Sequence, residues 1–291
     1  MKKIVITIFS LPQDLDNLSR VLIELNNAAK QIDGSNFHFY ISLSTDDFLV
    51  DWEQSKIDKS YIEDKFHYLK KYTDWTTSTF QIRDDILGAL SNKIYSYEEN
   101  PNATHFLWLD TDICFDKHLL SNIVSSIDKI KETDKYLITP QIVKYWDKTF
   151  DCIVNEKFIY EPYGYCFVNN PFQDCGVHGI TSLKVVTNPI EDLPTTKFGA
   201  GWATCISKPL LDEIPIPKSM GHYGPDDTYL MYAIDKSNSN IKQYMINNYV
   251  VCENFKYNLP NKSIVTKDIK DYFKKIAEDE MNRILGTMGI Y

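Results

Sequence analysis

Two acidic patterns in the sequence have the residue types and spacing for chemistry. The first is Phe106-Leu107-Trp108-Leu109-Asp110-Thr111-Asp112, an apolar run that ends in two carboxylates. In extended chain, residues two apart project to the same side, so Asp110 and Asp112 can converge on one ion. A hard divalent cation such as Mg²⁺ or Mn²⁺ takes one or two carboxylates, keeps water and accepts phosphate oxygens as further ligands. Such an ion would hold a diphosphate and neutralise charge on a departing nucleotide. The competing reading is a solvated turn in which one Asp caps the next helix. The second pattern is His222-Tyr223-Gly224-Pro225-Asp226-Asp227. A Gly-Pro turn running into two acids puts negative charge at a helix start, where the helix dipole favours it. Asp226 or Asp227 then caps that helix, and the same carboxylate can act as a general base toward a hydroxyl nucleophile.

Arg83, in Phe80-Gln81-Ile82-Arg83-Asp84-Asp85, offers a bidentate fork suited to phosphate; equally, it can pair with Asp84 or Glu99 on a surface. The aromatic stretch from Tyr160 to Phe172, with Trp202, supplies flat faces for sugar rings or bases, or else a cluster packed beneath a long loop.

These groups need a scaffold, and the hydrophobic pattern predicts an α/β one. Lys3 to Phe9 reads as a buried strand, Leu15 to Ala29 as a helix, and Phe37 to Leu43 as a second strand, the opening of a parallel sheet. The spacing of Ile82, Ile86, Leu87, Leu90 and Ile94 predicts a helix over 80–95. His105 to Leu109 reads as a strand, Leu119 to Ile130 as a helix and Tyr136 to Ile142 as a strand. The span 145–188 is irregular and aromatic. A helix over Asp226 to Asp235, a strand over Tyr244 to Val251 and an amphipathic helix over Lys267 to Leu285 complete the chain. In an open α/β sheet ligands bind outside the carboxyl ends of strands, where Asp110 and Asp112 fall.

The chain has 291 residues and 31 Lys+Arg against 40 Asp+Glu, a net charge of −9, which argues against bulk adhesion to nucleic acid or anionic lipid. A nucleic-acid acceptor at a local pocket is not excluded by that charge. The N-terminal apolar run is broken by Gln13, Asp14 and Asp16 before it could serve as a signal peptide, and no window suggests a transmembrane helix. The six cysteines include no C-x-x-C pair, so free thiols and a cytoplasmic location are expected. The His residues other than His222 show no metal-ligand spacing. The C-terminal helix is expected to dock on its own domain or on a second copy in a homodimer.

Taken in order, these segments resemble a glycosyltransferase of the GT-A fold, in the nucleotide-diphospho-sugar transferase superfamily. The resemblance rests on Ile4–Phe9 with Ser10-Leu11 at its exit, and on Asp46-Asp47 after the second strand. It continues with Ile82-Arg83-Asp84 before Leu87-Gly88-Ala89-Leu90, similar to that family's Arg-Asn helix, then Asp110-Thr111-Asp112, Phe198-Gly199-Ala200-Gly201-Trp202-Ala203 and Gly224-Pro225-Asp226-Asp227. It implies a Rossmann-type mixed, mostly parallel sheet flanked by helices, with an acceptor-side subregion and a C-terminal helix. It implies one catalytic domain over 1–265, with a nucleotide half (1–115) and an acceptor half (116–265), followed by the helix of 266–291.

The resemblance further implies transfer of a sugar from a nucleotide sugar, a UDP-sugar favoured, to an acceptor hydroxyl on a glycan or other biomolecule. Asp226 stands at the catalytic base. Ser10, Asp46, Asp47, Arg83, Asp84, Asp110 and Thr111 stand at nucleotide contacts, and Gly201, Trp202, His222 and Asp227 at the acceptor or sugar. Asp110, Asp112 and Glu253 stand at a Mn²⁺ or Mg²⁺ ion. The chain departs from the family pattern at three places. Asp84 replaces an Asn, Pro225 stands where many members have Glu, and 250–254 offers no His as a third metal ligand. Two other readings remain open on sequence: a haloacid-dehalogenase-like phosphohydrolase, and a non-catalytic nucleotide-sugar-binding protein.

Overall fold

The computed structural model describes residues 2–46, 52, 58–84, 88–115, 117–143, 183–186, 203–224, 226–237, 240–253 and 267–287. Among the described residues nine strands form one mixed sheet: β1 (Ile4–Ser10), β2 (Phe37–Ser44), β3 (Thr77–Arg83), β4 (His105–Leu109), β5 (Ile113–Cys114), β6 (Tyr136–Val143), β7 (Leu183–Val186), β8 (Ala203–Ser207) and β9 (Lys242–Glu253). Their order is β3-β2-β1-β4-β8-β6-β9-β5, with β7 paired to β9 off that path. β3, β2, β1 and β4 are mutually parallel; β8 runs against both β4 and β6, and β9 runs parallel to β6. β5 and β7 pair antiparallel to β9, so β1, β2, β3, β4, β6 and β9 share one direction and the sheet is mostly parallel.

Seven α-helices are described: α1 (Leu15–Ala29), α2 (Lys59–Tyr68), α3 (Ala89–Glu99), α4 (Leu119–Ile127), α5 (Lys208–Glu213), α6 (Asp226–Lys236) and α7 (Lys267–Thr287). Side chains alternate across a strand, and the core divides accordingly. Ile4, Ile6 and Ile8 of β1 and Leu107 and Leu109 of β4 pack with Leu18, Leu22 and Leu25 of α1 and Leu120 and Ile123 of α4. Val5, Phe106 and Trp108 face the other way, against Leu90 and Ile94 of α3, Leu210 of α5, Leu230 of α6 and Met281 and Leu285 of α7. The sheet is therefore covered on both faces. The C-terminal helix docks on its own domain, burying Ala277, Met281 and Leu285.

One expected element is corrected. Residues 80–95 are not a single helix: Thr77–Arg83 is strand β3, in parallel register with β2 from His38↔Thr77 to Ser44↔Arg83, and the helix starts only at Ala89. Thr77, Thr79, Phe80 and Ile82 suit an edge strand, and Gly88 is fully extended (φ −174°, ψ 179°), which separates the two elements. The helical spacing of 82, 86, 87, 90 and 94 came from a strand end and a helix start read as one. No helix among the described residues is long and apolar enough to cross a membrane.

Candidate active site

β1 and β4 lie side by side and end at the same edge, since Thr7 is opposite Trp108 in their register. Ser10 closes β1 and is buried, its hydroxyl donating to the Leu11 carbonyl at 3.2 Å. Asp110 follows directly on β4. The turn through Thr111 and Asp112 is held from α1: Arg20 Nη2 donates to the Thr111 carbonyl at 3.1 Å. The chain then enters β5, which pairs with the end of β9 so that Ile113 lies opposite Glu253. Glu253 is thus one register position beyond Asp112.

The second acidic pattern reaches the same place by way of α3. Gly221, at φ +81°, turns the chain out of a short 3₁₀ helix over Lys218–Met220, in a region glycine adopts most readily. The next residue, His222, accepts a hydrogen bond on its carbonyl from the Leu90 amide at 3.1 Å, and its Nδ1 lies 3.3 Å from the Ser91 hydroxyl. The contact is so close that a Cβ on Gly88 would lie 2.3 Å from the His222 oxygen. Phe273 of α7 meets the His222 ring edge-on at 5.5 Å, and Tyr223 meets Phe9 of β1 at 6.5 Å. These contacts fix the start of α6, where Asp226 and Asp227 occupy the first turn.

Asp226 and Lys93 then form a buried ion pair, Nζ to Oδ2 at 2.5 Å, with the residues 7% and 6% exposed. The same ammonium lies over the Trp108 ring, 4.8 Å from its centroid. Burial alone would lower the Lys93 pKa. The Asp226, Asp110 and Asp227 carboxylates together outweigh it and hold the ammonium above its ordinary value. Asp110 is crowded in turn. Burial, followed by Asp112, Asp226 and Asp227, pushes its carboxyl up to about 8, against the opposing pull of Lys93.

Three carboxylates, Asp226, Asp110 and Asp227, therefore act on one ammonium, with Asp112 adding charge beside Asp110, and the surplus negative charge with all-oxygen donors fits a hard divalent ion. Asp110 and Asp112 are the residues that would hold such an ion. Among the described residues no group of three His, Cys, Asp or Glu side chains is gathered as a ligand set.

The structure brings Asp110, Thr111, Asp112, Asp226 and Asp227 to one place, with Ser10 at the neighbouring strand end and His222 on the supporting loop. Asp46 lies just past β2. Arg83 is set apart: it ends edge strand β3, three strands from β4 and about 14 Å away at the usual strand spacing. Its guanidinium bonds Gln81 Oε1 at 2.7 Å and Glu99 at 3.3 Å and stacks on Tyr95, and it is carried by a strand rather than a helix. Asp84 is exposed beside it. Asp47, Gly201, Trp202 and the stretch 160–172 lie outside the described residues, as does the Glu253 side chain.

Sequence reasoning missed Lys93 and Arg20. The signal for Lys93 was available, because it lies three residues after Leu90 and four before Tyr97, on the apolar stripe of its helix. A lysine there must either snorkel or find acids.

Solved structures similar to this one share the architecture. TarS 1–349 of S. aureus in complex with UDP-GlcNAc aligns with a TM-score of 0.51 at 11% identity, over 87% of this chain and 58% of that one. GalNAc-T7 with UDP, GalNAc and Mn²⁺ aligns with a TM-score of 0.50 at 13% identity, over 87% of this chain and 44% of that one. The chain has a GT-A-type fold. At such identities the likeness is one of fold alone. The chain spans 36% of the longer TarS structure, 44% of GalNAc-T7 and 58% of TarS 1–349. No protein-family model matches the sequence, and no curated protein matches it. Within a GT-A-type fold the acidic cluster occupies the carboxyl edge of the sheet.

Proposed function

We propose that the protein is a metal-dependent glycosyltransferase that moves a sugar from a nucleoside-diphosphate sugar, a UDP-sugar favoured, to an acceptor hydroxyl. The observation that carries this reading is the buried Lys93–Asp226 pair beside Asp110 at the carboxyl edge of the sheet. The GT-A-type fold, shared with structures that hold UDP-GlcNAc or UDP with Mn²⁺, supports it.

In transfer, the bond between the sugar's anomeric carbon and the diphosphate breaks, and one to the acceptor oxygen forms. The acceptor proton must leave. In an inverting reaction Asp226 takes it, one carboxylate oxygen being fixed by Lys93 so that the group cannot rotate away. In a retaining reaction Asp226 orients the acceptor or donor instead. A divalent ion held by Asp110 and Asp112, with Glu253 or water, would offset the charge on the departing diphosphate. Arg20 keeps the Thr111 carbonyl, and with it the turn between the two acids, in place. Ser10, Asp46 and Asp47 are the residues proposed for the nucleotide. Gly201, Trp202, His222 and Asp227 are proposed for the acceptor side. Arg83 and Asp84 are left on the far edge.

The test is a panel of nucleotide sugars, with and without Mn²⁺, read by nucleotide release and thermal shift. One UDP-sugar should stabilise the protein only with metal. Asp226→Asn should lose turnover at least a hundredfold while still binding UDP. Unchanged turnover in a folded Asp226→Asn protein sinks the reading.

A further inference from the structure

The segment that leads into Asp226 lies between two helices far apart in the chain, α3 and α7. From α3 it is held at the main chain. The Leu90 amide, in the first turn of that helix and so without a helical acceptor, donates to the His222 carbonyl at 3.1 Å. From α7 it is held by side chains. The Phe273 ring meets the His222 imidazole edge-on, with centroids 5.5 Å apart and planes at 88°. The same imidazole has Nδ1 3.3 Å from the Ser91 hydroxyl of α3, so it bridges the two helices.

Gly224, two residues before Asp226, is gripped in the same way. A Cβ there would lie 2.6 Å from Ala277 Cβ of α7, 3.5 Å from Leu90 Cδ2 of α3 and 3.7 Å from Met220 Cε. The main chain fits between the helices because residue 224 has no side chain and residue 277 has a single carbon. Near the start of the same segment, the Ser219 hydroxyl donates to the Glu280 carboxylate. Phe273, Ala277 and Glu280 stand at i, i+4 and i+7, so one face of α7 carries all three contacts. Two turns beyond Ala277, Leu285 is 1% exposed and anchors the helix in the core. Anchoring the helix and gripping the segment are thus tasks of different residues.

We propose that α7 is a positioning element for Asp226: Phe273, acting through His222, and Ala277, acting through Gly224, hold the segment 221–224 against α3 and so keep the Asp226 carboxylate on the Lys93 ammonium. Without that backing the segment would keep its contacts with α3 and with Phe9 but could move away from them, taking Asp226 with it. A displacement of about 1 Å at a reacting group can cost a hundredfold in rate. The effect on turnover rests on the sugar-transfer reading, whereas the seating of the segment does not.

The experiment compares Phe273→Ala, Phe273→Tyr, Ala277→Val and Leu285→Ala in the full chain. Amide hydrogen exchange at Leu90 reads the seating directly, because the His222 carbonyl is the acceptor that protects that N–H. Phe273→Ala should speed this exchange by roughly tenfold or more, and Phe273→Tyr, which keeps the ring, should leave it as in the wild type. With a nucleotide sugar turning over, Phe273→Ala and Ala277→Val should each lower kcat by roughly tenfold or more while donor KM stays within about twofold. Leu285→Ala should lower Tm yet leave Leu90 exchange and kcat within about twofold. Phe273→Leu serves where Phe273→Ala fails to fold. Leu90 exchange that is unchanged in Phe273→Ala overturns the proposal. So does a Leu285→Ala protein that loses kcat and Leu90 protection to the same extent, since α7 would then be a structural cover alone. Faster exchange with unchanged kcat overturns the link to Asp226. Absence of turnover in the wild type with every donor bears on the sugar-transfer reading, and the exchange result then decides the role of α7 by itself.

Discussion

The Lys93 ammonium lies 2.5 Å from Oδ2 of Asp226, although 133 residues separate them in the chain. The pair joins the middle of α3 to the first turn of α6, and the Trp108 ring lies beneath the ammonium. A buried ion pair of this kind gains little over a well-packed apolar pair, because both charges lose their water. Its value here is positional. It sets one oxygen of a carboxylate at the sheet edge, next to Asp110.

That energetic asymmetry gives a direct test. Lys93→Met leaves Asp226 buried beside three other carboxylates and should cost about 3–5 kcal/mol of unfolding free energy in urea. Lys93→Met combined with Asp226→Leu removes both charges and should recover most of that loss. A double variant as unstable as the sum of Lys93→Met and Asp226→Leu would show that the two side chains stabilise the fold independently rather than as a pair.

Gly88 tests the link between α3 and the loop before Asp226. Its φ of −174° suits any residue, so substitution there brings no backbone strain. A methyl group would, however, lie 2.3 Å from the His222 carbonyl oxygen and 2.7 Å from the Tyr223 ring. Gly88→Ala should therefore cost about 1–3 kcal/mol by overpacking. Because the loop shifted is the one that delivers Asp226, turnover should fall more than UDP affinity. Gly221→Ala is the contrast: it meets open space, and its cost of about 1 kcal/mol arises from φ +81° alone.

The parts of the fold written in local pattern were legible in the sequence. β1, α1, β2 and β4 were, because each is a run of apolar residues with one period and clear ends. Asp110, Asp112 and Asp226 were legible for a related reason: acids directly after an apolar strand or a Gly-Pro turn stand out from their neighbours. Arg83 was misplaced because Ile82 at a strand end and Leu90 at a helix start happen to fall at helical spacing, and no local rule separates them. Lys93 was overlooked because a charged residue within a helix is ordinarily solvated. Only its position on the buried stripe, and tertiary contact with an acid far along the chain, give it a role.

His105, at the start of β4, sets a pH limit on the scaffold. It is 1% exposed, with Nε2 2.6 Å from the Tyr136 hydroxyl and Nδ1 2.8 Å from that of Thr104. Burial, helped by the charge of Lys2, brings its pKa down to about 4 from an ordinary 6.5. The unfolded chain therefore binds a proton between those values that the folded protein does not. The neutral ring contributes stability that is fully present above pH 6.5 and is lost as pH falls through 4. Over that interval the loss should amount to about 1–3 kcal/mol. Denaturation of wild type and His105→Gln across the window should show the wild type alone losing that increment; parallel curves would mean the ring is not the source.

Asp110 carries the opposite sign, and metal should reverse it. Its carboxyl is pushed up to about 8 from an ordinary 3.8, by burial first and by Asp112, Asp226 and Asp227 after it. Here the folded protein binds the proton that the unfolded chain has released. Its contribution to stability is complete below 3.8 and is lost as pH rises through about 8. A divalent ion competes for the same oxygens and must displace that proton to bind. The rise in Tm on adding Mn²⁺ should therefore be small near roughly pH 5.5 and grow toward roughly pH 8.5. Asp110→Asn, which has no proton to exchange and one fewer anionic ligand, should flatten both the metal-free decline and the Mn²⁺ response. Thermal unfolding at the two pH values, with and without the ion, decides it. A Mn²⁺ response in Asp110→Asn equal to that of the wild type would remove Asp110 from the metal site.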